Sequence, residues 1–318
     1  MQSMALFLIT GGAGFIGSHI VFELLRRRQR VRVLDNFSTG KRRNLDGAGD
    51  RIDLIRGDIR DLTKVRRAVR GVDYVLHQAA LASVPRSIDH PLETSEVNVQ
   101  GTLNLLVASR DAGVRRFVMA SSSSVYGPTR RLPKVERMRP RPISPYAVSK
   151  AIGETYCQIF YTLYGLETVC LRYFNVFGPR QNPDSHYAAV IPRFVRGLLA
   201  GRAPTIYGDG EQSRDFSYVS NVVSANILAC RAGDTAGQII NVACGRRYTV
   251  NDLFARLRRL THSRLSAVHS PPRPGDIRHS HADISKARKV LRYKPRVSFG
   301  EGLKKTVDWF TRNHRRAG

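Results

Sequence analysis

Three groups of residues have the types and spacing to do chemistry. The first is Thr10-Gly-Gly-Ala-Gly-Phe-Ile-Gly17. Gly11 permits a tight turn, Gly14 a close backbone approach to a pyrophosphate, and Gly17 close packing of a helix on a sheet. A helix opening at Phe15 and Ile16 aims its first amides at the phosphates. Asp35 stands at the end of the next strand, 21 residues after Gly14. A carboxylate there accepts the adenosine ribose hydroxyls and repels a 2′-phosphate, which selects NAD over NADP. Lys41-Arg42-Arg43 either greets such a phosphate or is a solvated loop. The second group is Tyr146-Ala-Val-Ser-Lys150, where Tyr and Lys share one helix face. An ammonium beside a phenol lowers its pKa from about 10 and makes Tyr146 a general base. The third is Ser121 to Ser124 at the end of a strand, where a hydroxyl shares the substrate proton with Tyr146.

Lesser signals flank these. Asp58, followed by Ile59, either meets an adenine amino group or caps the helix ahead of Asp61. Gln78, Ala79 and Ala80 follow His77, and small residues there let a cofactor lie close. His279-x-His281 beside Asp276 and Asp283 has chelate spacing, but no metal is expected.

The elements that must hold these residues alternate. Strands are expected at residues 4–10, 31–35, 52–56, 74–77, 116–121 and 168–172, with helices at 15–28, 61–70, 98–112 and 146–164. Short apolar strands alternating with helices give an α/β fold, a doubly wound parallel sheet covered on both faces. After Phe174 the alternation stops, and helices are expected at 189–200, 221–231, 251–260, 284–291 and 300–313, with a strand at 238–242 returning to the sheet. Residues 1–174 therefore form a dinucleotide-binding domain to which 216–245 return. Residues 175–215 and 246–318 form a smaller, interleaved lobe.

Composition bounds the rest. The chain has 318 residues, 42% of them hydrophobic, enough to bury a sizeable core. No run of about 18 apolar residues exists to span a membrane. The four cysteines form no C-x-x-C pair, which suits reduced thiols in a cytoplasm. The 52 Lys+Arg against 25 Asp+Glu give +27. That excess either makes a polyanion-binding surface or solvates every face; without a tract or an RNA-reading motif, nucleic acid is not the expected partner.

Gly11-x-x-Gly14-x-x-Gly17, Asp35-Asn36, Tyr146-x-x-x-Lys150 and Arg172-Tyr-Phe-Asn175-Val together resemble the extended short-chain dehydrogenase/reductase superfamily with its Rossmann domain. Residues 34–41, 77–86, 180–192, 208–216 and 273–280 resemble UDP-sugar 4-epimerases, bacterial UDP-N-acetylglucosamine 4-epimerases above all. The resemblance implies tightly bound NAD, a UDP-sugar substrate, and a homodimer pairing helices near 98–112 and 146–164. It assigns the catalytic hydroxyl to Ser122, with Ser123 adjacent, and adds Asn36, Ser38, Gly40, Asn98 and Tyr173 to the cofactor site. On the substrate side it implies Ser83, Val84, Asn175, Ala189 and Val190, and diphosphate-binding Arg214 and Arg273. Tyr207 matches an aromatic that packs on uracil, or is core. Asp276 matches a carboxylate that holds the nucleotide ribose.

Related dehydratases and decarboxylases carry Glu where this chain has Ser124, which argues against a dehydratase. Ser280 falls where a large aromatic leaves room only for a hydroxyl at the sugar C2; a serine admits an N-acetyl group, or is merely a strand residue. The expected reaction is C4 epimerisation of UDP-GlcNAc/UDP-GalNAc and of UDP-Glc/UDP-Gal. The alternatives are a UDP-glucuronic acid 4-epimerase or decarboxylase, and an NAD-binding, RNA-associated protein without turnover.

Overall fold

The computed structural model describes residues 4–183, 189–272 and 277–314. In the first half the strands are β1 (Leu6–Thr10), β2 (Arg30–Asp35), β3 (Ile52–Arg56), β4 (Tyr74–His77), β5 (Arg116–Ser122) and β6 (Thr168–Tyr173). The helices between them are α1 (Phe15–Arg26), α2 (Leu62–Val69), α3 (Val84–Asp89), α4 (Pro91–Ser95), α5 (Gly101–Asp111) and α6 (Pro145–Tyr164). Beyond Phe174 come β7 (Val176–Phe177), α7 (Val190–Leu199), β8 (Thr205–Tyr207), β9 (Ser213–Arg214), β10 (Ser217–Tyr218) and α8 (Val219–Arg231). They are followed by β11 (Gln238–Val242), β12 (Tyr248–Thr249), α9 (Val250–Leu260), β13 (Val268–Ser270), α10 (Ser285–Leu291) and α11 (Phe299–His314).

Seven strands form one parallel sheet in the order β3-β2-β1-β4-β5-β6-β11. Its period-two alternation feeds two cores. Phe7, Ile9, Val31, Val33 and Val118 turn to one face and pack with Ile20 and Leu24 of α1 and Val222 of α8. Leu6, Leu8, Leu34, Phe117 and Met119 turn to the other and pack with Val65 of α2, Leu105 of α5 and Phe160 of α6. Both faces are covered, so the strands are continuously apolar, as parallel strands require. Strand order reverses between β1 and β4. The crevice beyond their C-terminal ends is where ligands bind in such sheets.

The sheet and the return of β11 to it follow the expected pattern. The differences lie at ends and connections. The first helix stops at Arg26, because Arg28 takes a left-handed φ of 55°. The helix expected from residue 98 begins at Pro91 as α4 and reaches α5 through a π-helical turn over Glu96–Gln100. A proline in the first turn is a helix-start signal that locates it. The proline-rich stretch 127–144 is a tied loop: Lys134 N–H donates to the His281 carbonyl (2.8 Å), and Asp283 N–H donates to the Lys134 carbonyl (2.9 Å).

Candidate active site

The glycine loop is held by sterics. Gly11 has φ +67°, and a Cβ there would lie 2.8 Å from the Ala79 backbone; one on Gly17 would lie 2.1 Å from the Gly11 carbonyl oxygen. Gly14 begins α1 with no side-chain cap and no acid in the first turn, so the first amides of the helix face the crevice free for an anion. Asp35 is buried. Its oxygens accept the N–H groups of Ala13 and Phe37, each at 2.8 Å. Burial raises its pKa, and those two donors pull it down.

A cleft of about 1350 Å³ opens here. It is lined by Gly11, Gly14, Phe15, Ile16, Gly17 and Asp35, by Asn36, Ser38, Gly40, Asp58 and Ile59, and by Gln78, Ala79, Ala80, Tyr146, Lys150 and Tyr173. Asn98 is not in the lining; it stands behind the wall, accepting Leu81 N–H (2.8 Å) and donating to Ser149 Oγ (3.1 Å). Asp58 accepts from Asn36 Nδ2 (2.8 Å) and from Arg60, whose hydrogen bonds hold its pKa down at about 2. The helix cap is Asp61, which accepts Lys64 N–H. Tyr173 Oη, Gln78 and Asn226 form a hydrogen-bonded cluster on the floor. This cradle of glycines, uncapped amides and a terminal carboxylate fits a dinucleotide.

Of the three proposed catalytic side chains, Tyr146 and Lys150 line the cleft and Ser122 stands behind the lining, against Tyr146. Ser144 caps α6 by accepting Ala147 N–H (3.2 Å), which sets Tyr146 in the first turn. Ser122, at the end of β5, lies against Tyr146 and pulls its pKa down. Ser122 Oγ accepts both the N–H (3.1 Å) and the hydroxyl (2.9 Å) of Ser124. Lys150 Nζ donates to the Ala120 carbonyl (2.9 Å) and lies 5.9 Å from the Tyr146 ring centroid. One expectation is corrected here. Burial raises the pKa of Tyr146, and Ser122 only pulls against it. The lysine does not set the direction, and burial has lowered its own pKa to about 8.

On the far side the sequence-assigned residues sit on short elements. Ser83 caps α3, accepting Arg86 N–H (3.2 Å), and lines the cleft; Val84 follows it. Ser123 opens the turn after β5. Asn175, with φ 37°, donates to the Asp215 carbonyl (3.2 Å). Ala189, in the lining, precedes Val190 at the start of α7, a second helix without a side-chain cap or an early acid. Tyr207 ends β8 half-buried, with the Arg193 guanidinium 5.7 Å from its ring centroid. Arg214 on β9 and Ser280 are neighbours, because Ser280 N–H donates to the Ser213 carbonyl (2.9 Å). Arg273 and Asp276 lie outside the described residues. His279 Nδ1 bonds Ser213 Oγ (2.9 Å).

Two buried acids behind the site escaped the sequence reading. Asp215 accepts the N–H groups of Cys244 (3.0 Å), Gly245 (3.0 Å) and Ala282 (3.3 Å), drawing three segments together. Glu154 follows Lys150 by four residues, the same spacing that joins Tyr146 to Lys150, and that was its available signal.

A family model described as "NAD dependent epimerase/dehydratase family" matches residues 7–243. A UDP-glucose 4-epimerase of Mycolicibacterium smegmatis is 40% identical over 310 residues, covering 95% of this chain and 97% of the relative. A UDP-N-acetylglucosamine 4-epimerase of Methanobrevibacter ruminantium, solved with UDP-N-acetylmuramic acid, is 42% identical with TM-score 0.94, covering 98% of this chain and 100% of that one. A UDP-glucose 4-epimerase of Thermus thermophilus, solved with NAD, is 40% identical with TM-score 0.88, covering 96% of this chain and 99% of that one.

Proposed function

Because this chain belongs to the NAD dependent epimerase/dehydratase family and is an NAD-using enzyme of UDP-sugars, we propose that it epimerises UDP-GlcNAc and UDP-GalNAc at C4, with UDP-Glc and UDP-Gal as further substrates. The observation that carries the reaction type is that Tyr146 and Lys150 line the dinucleotide cleft together, with Ser122 against Tyr146. Held by the glycine loop, Asp35 and Lys150, NAD would supply a reversible hydride acceptor for the sugar C4. Tyr146 takes the C4 hydroxyl proton and gives it back. Ser122 shares that proton through its hydroxyl, kept in place by the two bonds it accepts from Ser124. Lys150, fixed on the Ala120 carbonyl, holds the nicotinamide ribose and supplies positive charge beside the phenol. Arg214, Arg273 and the start of α7 hold the diphosphate, Asp276 the ribose, Tyr207 the uracil and Asn175 the sugar nucleotide.

Ser280 supports the acetylated substrate. It is a small side chain tied by its backbone to the strand of Arg214. The test is kcat/KM for both sugar pairs, read by NMR, in the wild type and in Ser280→Tyr. The variant is expected to lose the acetylated pair and keep the other, since overfilling rejects the larger ligand. Equal loss of both pairs, or a wild type that ignores UDP-GlcNAc, defeats the substrate reading. A UDP-glucuronate preference would instead direct attention to Arg180, which lines the cleft with its guanidinium stacked 4.5 Å from the Phe22 centroid.

The working unit in this reading is a homodimer in the cytoplasm, where the four free cysteines stay reduced. Its support is an apolar stripe on the outer side of α6, formed by Val148, Ile152, Ile159 and Leu163 (68% exposed). Leu92 (79%) on α4 and Ile88 (62%) on α3 continue it. Among the described residues no helix is long and apolar enough to cross a membrane.

A further inference from the structure

Glu154 is 2% exposed, and its partner Arg172 is 1% exposed. Arg172 Nε and Nη2 donate to its two oxygens, each at 2.8 Å, and Ser121 Oγ donates to Oε1 as well. One carboxylate thus ties α6 to β5 and β6, beside the residues proposed to act. Ser121 immediately precedes Ser122, Arg172 immediately precedes Tyr173, and Lys150 stands one turn before Glu154. The guanidinium centre of Arg172 lies 4.5 Å from the ring centroid of Tyr126, whose hydroxyl donates to Asn241 on β11 (2.7 Å). Arg172 Nη1 has no hydrogen-bond partner among the described residues. A buried ion pair of this kind is weak evidence for stability, and removing one partner strands the other charge.

We propose that Glu154 is a positioning residue for catalysis: it cancels the buried charge of Arg172 and thereby sets the pH range in which Tyr146 and Lys150 exchange protons. This rests on the proposed roles of Tyr146 and Lys150. The other groups facing this interior are His77 on β4, Cys170 on β6, Cys157 on α6 and, on the Tyr126 side of Arg172, Glu136 in the loop 127–144 and Lys286 on α10. Burial pushes His77 down to about 3, and the hydrogen bond with Cys157, together with burial, pushes Cys170 well above the usual thiol range, so both are uncharged near neutrality. Glu154 is the carboxylate that bonds the Arg172 guanidinium directly.

The sign follows from the charge left behind. Glu154→Gln strands a positive charge, which favours the tyrosinate of Tyr146 and disfavours the ammonium of Lys150. Both limbs of the pH profile of kcat/KM then move to lower pH, by on the order of one unit for a charge one or two helical turns away. Glu154→Asp keeps the charge and shortens the reach to Ser121. It should lower kcat several-fold with KM and both limbs unchanged. The double variant Glu154→Gln/Arg172→Met strands no charge, and its limbs should return to the wild-type position.

The experiment pairs these profiles with ultraviolet titration of the tyrosinate band in the purified protein, subtracting the same titration of a Tyr146→Phe background. A Glu154→Gln variant that loses activity or melting temperature without moving Tyr146 overturns the proposal and leaves a structural strut. So does a Glu154→Asp profile displaced as far as that of Glu154→Gln. Should Glu154→Gln not fold, the double variant decides, and limbs displaced from wild type refute the charge argument. A wild type that epimerises no UDP-sugar sinks the functional reading alone, because the titration needs no substrate.

Discussion

In the cofactor half, Gly11 and Gly17 are placed by backbone contacts that leave no room for a Cβ, and the loop they form joins two adjacent elements, β1 and α1. In the substrate half, Arg214 and Ser280 stand on a two-residue strand and a single β-bridge. They are brought together by Ser213 pairing with residues 278–280 and by the Asp215 carboxylate gathering Cys244, Gly245 and Ala282. One site is built by local sterics on a continuous sheet. The other is built by side-chain hydrogen bonds between segments far apart in the chain. On the proposed reading function needs both, so the two halves should fail in different ways.

The largest expected effect lies at the junction. Tyr146→Phe keeps the ring and removes the proton acceptor; turnover should fall at least ~10²-fold while NAD stays bound. Measured NAD content and initial rates check this, and a near-normal rate would remove Tyr146 from the mechanism. Next comes the steric half. In Gly17→Ala the new Cβ cannot coexist with the Gly11 carbonyl, so the loop must shift, at about 1–3 kcal/mol. The purified protein should carry little NAD and melt lower. Full NAD content in that variant would show the cradle to be adaptable.

The third effect belongs to the hydrogen-bonded half and depends on pH. Burial raises the pKa of Asp215 to about 6, against its three N–H donors. Its folded-state pKa therefore lies above the unfolded value, and folding takes up a proton as pH falls through about 6 towards 4. This group's contribution to stability grows over that window, by about 3 kcal/mol in all. Asp215→Asn lacks the gain and turns an amide N–H towards backbone donors. It should cost about 1–3 kcal/mol at pH 7 and progressively more as pH drops to 4. Denaturant unfolding of both proteins at several pH values measures the gap. A gap that narrows on acidification contradicts the sign.

The same contrast explains what was legible in the sequence. The run Leu6–Thr10, the glycines after it and Asp35 announce strand, turn and a carboxylate at the end of the next strand within a few tens of residues, and the structure has these elements where the pattern says. The spacing of Tyr146 to Lys150 was equally readable. What was not readable depends on pairing across the chain. Neither β9 at Ser213–Arg214 nor β12 at Tyr248–Thr249 has a local signature, because each is a strand only through its partner. Asp215 looks like any turn acid until three distant amides converge on it. The direction of the Tyr146 shift was misread for a related reason: helix spacing puts the lysine near the phenol, but only packing reveals that burial dominates.

The loop 127–144 carries a consequence for the order of events in time. It is tied through Lys134 to His281 and Asp283, nearly half the chain later. Neighbouring strands such as β1 and β2 pair over about two dozen residues. Closing long loops carries the larger entropic cost and slows the contacts that need it. During synthesis, the dinucleotide cradle can assemble while the segment that latches Lys134 is still unmade. The chain is then expected to hold its cofactor before it can grip a sugar nucleotide.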